Sequence, residues 1–104
     1  MDKDGETPLI VAAGWGQGDV IKILLEHGAD VFAKDKRERT AIFAAVEENQ
    51  AEVLEMLLEA RGSDNLASEI DKCQNTPLHL AAKMGHYECA KVLLNVRANI
   101  DYHQ

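Results

Sequence analysis

Four side chains in the C-terminal third could ligate a metal: Cys73, His79, His86 and Cys89. Zinc is held by cysteine thiolates and histidine nitrogens supplied as closely spaced pairs. His86 and Cys89, in HYEC, form one such pair, but Cys73 and His79 do not form a second. A different chemistry is suggested by LIVAAGWGQGDVIKILL, in which a glycine-rich step precedes a helix-like run. Dinucleotide binding requires GxGxxG, so that helix amides can meet a pyrophosphate. Counted from Gly14 and Gly16, the third glycine falls on Asp19, whose charge would repel phosphate. The serines, Ser63 and Ser68, share no motif with a histidine, so no nucleophile and base stand ready for acyl transfer. The residues therefore imply no catalytic site, no cofactor and no metal, and the chain reads as a non-enzyme.

The same segments make sense as copies of one unit. Thr7 opens TPLIVAA, Thr40 opens TAIFAAV and Thr76 opens TPLHLAA. The step from Thr7 to Thr40 is 33 residues, and from Thr40 to Thr76 it is 36. A period in this range belongs to stacked units and not to one globular core. Each threonine is placed to cap a short first helix by accepting a bond from a first-turn amide. Pro8 and Pro77 occupy the next position, where a missing N–H costs nothing. Gly16, Asn49 and Gly85 share one register position and suit a left-handed turn. A second helix follows in each unit. Its buried stripe is carried by Val20, Ile21, Ile23, Leu24 and Leu25, then Val53, Leu54, Met56, Leu57 and Leu58, then Cys89, Ala90, Val92, Leu93 and Leu94. Asp19, Glu52 and Glu88 complement the dipoles of these helices.

A loop closes each unit. Gly28 stops the first, and Arg97 replaces that glycine in the third, where RANID is expected to be the loop. The second loop carries three extra residues, an insertion that costs only a few tenths of a kcal/mol in closure entropy by order of magnitude. The repeats run over about 2–34, 35–70 and 71–104 and form one domain.

These residues resemble the ankyrin repeat. DKCQNTPLHLAAKMGH is close to the family pattern, and DKDGETPLIVAAGWGQ nearly as close. An aspartate precedes each threonine by five residues: Asp2, Asp35 and Asp71. The middle unit departs most, lacking the proline, the histidine and both turn glycines. The resemblance implies an all-α solenoid of helix-turn-helix units with projecting β-hairpin-like loops. It also implies a non-catalytic module that binds another protein through loop tips and the concave face of the first helices. The histidine of TPLH is expected to bond between loop and helix, and Cys89 to pack as a small apolar group.

Carried over by register, the tips comprise Lys3, Asp4 and Glu6, then Lys36, Arg37 and Arg39, then Lys72, Cys73 and Asn75. The first-helix face gives Gly14 and Trp15, then Glu47 and Glu48, then Lys83 and Met84. Lys34, Lys36, Arg37 and Arg39 make a basic tip on a chain whose net charge is −7. That tip suits an acidic partner segment, and Trp15 an apolar anchor. The acidic balance disfavours nucleic acid. No apolar run approaches the ~20 residues of a membrane helix, and the start lacks a signal-like stretch. Two cysteines read as free thiols in a reducing, cytoplasmic setting, with the nucleus or the cytosolic side of a membrane protein as alternatives.

The apolar ends, with Ile10, Val11, Ile21 and Ile23 on one side and Val92, Leu93 and Val96 on the other, imply flanking repeats or a flanking segment that covers one end. The alternative function is thus a structural spacer within a longer solenoid, such as the cytosolic array of a transient-receptor-potential ankyrin-type channel.

Overall fold

A computed structural model describes residues 5–60 and 69–102. Six helices follow one another: α1 (Pro8–Trp15), α2 (Gly18–Glu26), α3 (Ala41–Glu47), α4 (Ala51–Glu59), α5 (Pro77–Met84) and α6 (Tyr87–Tyr102). Among the described residues there is no strand. Each consecutive pair forms a helical hairpin. The first helices stack as α1, α3, α5 and the second helices as α2, α4, α6, giving two layers. Small residues permit the close approach within the first layer: Ala12, Ala45 and Ala81 share one register position and all are buried. Ile21, Leu54, Leu57 and Leu93 fill the space between the layers.

The turn between paired helices is set by one left-handed residue. Gly16 (φ 71°), Asn49 (φ 54°) and Gly85 (φ 70°) all adopt it, so asparagine does the work of glycine in the middle unit. The next amide in each unit then reaches back five residues, from Gln17, Gln50 and His86 to the carbonyls of Ala12, Ala45 and Ala81. These bonds satisfy carbonyls that a helix end leaves open.

The start of the first helix is less uniform than the sequence suggests. Thr7 Oγ1 accepts from the Ile10 amide at 3.2 Å, and Thr76 Oγ1 from the His79 amide at 3.1 Å. His79 Nδ1 accepts in return from the Thr76 amide at 3.3 Å, which completes a capping box. Thr40, expected to do the same, makes no side-chain cap bond. The Phe43 amide donates to the Thr40 carbonyl instead, leaving the buried Thr40 hydroxyl without a partner among the described residues. An unpaired buried hydroxyl costs free energy, whereas a working cap contributes. Thr40→Val is therefore expected to be neutral or to stabilise the chain by up to ~1 kcal/mol. Thr76→Val is expected to cost ~1 kcal/mol. Urea denaturation followed by circular dichroism compares the two, and a greater loss at Thr40 would contradict this account.

A second difference lies at the end of the third unit. The RANID segment is not a loop, because α6 continues through it to Tyr102. The reason is in the sequence: without a glycine, Arg97 provides no left-handed stop, and arginine is a good helix former. The three-residue insertion of the second loop, Ser63 and Ser68 within it, and Asp2, Lys3 and Asp4 lie outside the described residues.

Candidate protein-interaction face

The loop tips are built by aspartate. Asp35 Oδ1 accepts from the amides of Arg37 and Arg39 at 2.8 and 3.0 Å, and the Asp35 amide donates to the Arg39 carbonyl at 3.0 Å. Asp71 repeats the pattern with Cys73 and Asn75, each at 2.9 Å. Glu38 and Gln74 turn the chain with left-handed φ values of 62° and 66°. The aspartates five residues before Thr40 and Thr76 thus fold their tips. The sequence flagged their spacing but not this role.

This construction sorts the basic residues. Lys36 and Arg37 are exposed and make no ion pair with a described residue. Lys34 pairs with Glu69 at 3.6 Å. Arg39 does not project with the tip. Its Nε and Nη2 donate to Asp35 Oδ2 at 2.9 Å each, and its Nη1 donates to Glu47 on α3. Burial alone would raise the Asp35 pKa, but hydrogen bonds from the Arg39 backbone and guanidinium and from the Arg37 amide outweigh it. With the Arg39 charge added, the carboxyl is held below its ordinary 3.8. Arg39 and Glu47 therefore tie the tip to the first-helix layer.

The remaining first-helix candidates form two rows. Gly14, Glu47 and Lys83 share one register position; Trp15, Glu48 and Met84 share the next. The second row is exposed throughout, with Trp15 74% accessible. Lys83 is exposed as well, whereas Asn75 is half-buried and donates to Asp71 through its amide and its Nδ2. Trp15, Arg39, Glu47 and Glu48 come together around a cleft of about 270 Å³ between α1 and α3. Lys36, Arg37, Asn75, Lys83 and Met84 stand outside it. Glu6, Ile10, Val11, Gly14 and Ala44 complete its lining. The role of Val11 and Ala44 was missed in the sequence because each reads there only as part of an apolar run.

Two side chains tie neighbouring units together. Gln50 Nε2 donates to the Gly14 carbonyl at 3.4 Å. His86 Nδ1, at the same register position one unit later, lies 2.6 Å from the Val46 carbonyl, which can only accept. His86 is thus a joint between units, and His79 belongs to the cap. Cys89 is buried, with its thiol pushed up to about 11 by burial and the nearby Glu88, while Cys73 is exposed at a tip. No group of three or more His, Cys, Asp or Glu among the described residues could hold a metal ion. No helix among them is long and apolar enough to cross a membrane.

Paired helices stacked in two layers, with aspartate-built tips beside the first helices, define a repeat solenoid whose first-helix layer carries an exposed row of side chains. The family model for ankyrin repeats matches over residues 1–68 and 33–104, and the chain belongs to the ankyrin repeat family. Ankyrin repeats are in general protein-interaction modules and typically non-catalytic. Among curated relatives, the neurogenic locus notch homolog protein 1 of Xenopus laevis is 35% identical over 100 residues, covering 96% of this chain and 4% of the relative. The tyrosine-protein kinase HTK16 of Hydra vulgaris is 34% identical over 96 residues, covering 92% and 12%. A transient receptor potential cation channel subfamily A member 1 homolog of Caenorhabditis elegans is 34% identical over 95 residues, covering 91% and 8%. The chain therefore spans only 4% to 12% of the length of these relatives.

Proposed function

We propose that this chain is a non-catalytic, cytoplasmic protein-interaction module of three repeats (about 2–34, 35–70 and 71–104) that requires no cofactor. It meets its partner through the loop tips and the concave first-helix face. The observation that carries this reading is the second tip. Asp35 fixes its backbone, while Lys36 and Arg37 remain exposed without an ion pair to a described residue. A preformed surface binds without paying to order itself, and two exposed cations on an acidic chain select an acidic segment of the partner. Asn75, Lys83 and Met84 extend the same face across the third unit.

The test is affinity capture from a cytosolic extract with the wild type and with Lys36→Glu/Arg37→Glu. Arg39 is left in place because the fold uses it. The two forms should give the same helical signal. A protein retained by the wild type and lost by the variant supports the reading. Equal retention by both, or no selective partner, overturns it.

One observation favours a second reading, in which this segment stacks within a longer solenoid. Val20 and Ile23 are 46% and 55% exposed on the outer side of the first unit. At the same register positions, Val53 and Cys89 are 3% and 0% exposed, and Met56 and Val92 are partly buried. Gln17 stands in register with Gln50 and His86, each of which bonds to the unit before its own. In this reading a further repeat covers Val11, Val20 and Ile23 and accepts a bond from Gln17. The 34% identity to a cation channel homolog, of which this chain spans 8%, supports placing such an array within a larger protein. Val20→Lys/Ile23→Glu should then abolish concentration-dependent self-association in light scattering. A wild type that stays monomeric at millimolar concentration counts against this reading.

A further inference from the structure

We propose that the cleft between α1 and α3 receives an arginine side chain from the partner, a proposal that deepens the interaction reading and rests on it. Two small residues, Gly14 and Ala44, face each other in its lining, and an added Cβ at Gly14 would already stand in ordinary van der Waals contact with the Ala44 Cβ, at 3.9 Å. Between α3 and α5 the equivalent positions are Glu47 and Leu80, both large. At about 270 Å³ the cleft admits one long side chain and falls short of an ordinary small-molecule pocket.

Three features of its lining select the occupant. Ile10, Val11 and Ala44 give an apolar floor for an aliphatic stem. Trp15 stands at the edge with its indole largely in solvent, and a guanidinium stacks on such a face. The charge is carried by Glu6, Glu47, Glu48 and Arg39. Arg39 is already bound by Asp35 and Glu47, which neutralise it. Glu48 is exposed and makes no ion pair with a described residue. The surplus is therefore negative, at the rim of an apolar slot beside an aromatic face. An acidic occupant would be repelled, and a neutral apolar one would strip water from carboxylates without replacing it. A planar cation satisfies the aromatic face, the floor and the carboxylates together. The module would then read two charges of opposite sign: acid at the tip and arginine in the cleft.

Trp15 is the one tryptophan in the chain, so its fluorescence reports occupancy directly. The probes are heptapeptide pools free of tryptophan and tyrosine, random except for a central arginine, citrulline or glutamate. The arginine pool should give a saturable change at a concentration at least about fivefold below the citrulline pool, as expected for a cation over an aromatic ring. Salt at about 0.5 M should weaken it. Glu48→Lys should abolish the response while leaving the helical signal intact, and Lys36→Glu/Arg37→Glu should retain it. Equal responses to arginine and citrulline, no saturable response, or an unchanged Glu48→Lys titration would overturn the proposal. If the cleft fails in this way while partner capture still depends on Lys36 and Arg37, the interaction reading stands without it.

Discussion

Asp35→Ala is expected to destabilise the chain by about 3 kcal/mol, at the lower end of the cost of orphaning a buried ion pair. The Asp35 side chain is 2% exposed and holds both the tip backbone and Arg39. Removing it leaves two amides without their acceptor and strips Arg39 of one of its two carboxylates. Asp71→Ala provides the control. Asp71 makes the same two amide bonds but has no arginine partner among the described residues, so it should cost about 1 kcal/mol, the value of ordinary hydrogen bonds. Urea denaturation of both variants decides the matter, and equal losses would mean that the Arg39 bridge contributes nothing.

The same residue sets an acid limit. Asp35 has a depressed pKa in the folded chain, so its charge-dependent stabilisation is fully present above the unfolded value. It fades as pH falls below the ordinary 3.8 and through the folded value. The wild type should lose more stability than Asp35→Asn below about pH 4. Parallel pH dependence of the two proteins would refute this.

Phe43→Ala should have the largest effect, about 4 kcal/mol, as for large core truncations elsewhere. Phe43 is 0% exposed and lies in the run Ala41–Val46, where all six residues are buried. Its unit has lost the proline, the working cap hydroxyl and the turn glycine, so packing must hold its first helix in place. It also stands between the other two units, and stability in an array is the sum of its units and their interfaces. A loss of this size is a large share of the ~5–15 kcal/mol of a typical domain. The melting temperature should fall by about 20 °C. Phe43→Leu keeps most of the volume and should cost under about 1.5 kcal/mol. A melting point for Phe43→Ala within a few degrees of wild type would show that the middle unit is not held by its core.

The two-layer solenoid was legible in the sequence because the threonine register recurs over the whole chain. Asn49 was legible for the same reason, since it stands where Gly16 and Gly85 mark a turn. The failures share one cause. Thr40 and the RANID segment were read by analogy with neighbouring units, and analogy misses a local change in chemistry. Thr40 sits where the Phe43 amide takes a backbone acceptor, and Arg97 removes a stop signal. Arg39 was grouped with Lys36 and Arg37 because charge along a sequence does not reveal which cation folds back. Gln50 and His86 carried no signal because a bond across about 36 to 40 residues leaves no local pattern.

Trp15, Glu48 and Met84 occupy one register position and are all exposed. Their side chains are an aromatic ring, a carboxylate and a thioether, yet the helices beneath them follow the same course. Each stands at the C-terminal end of its first helix, and replacing an exposed side chain that makes no capping bond shifts stability by no more than about 0.5 kcal/mol. The row therefore behaves as a set of interchangeable slots, one per unit. Selection for a new ligand could rewrite each slot independently and leave folding untouched.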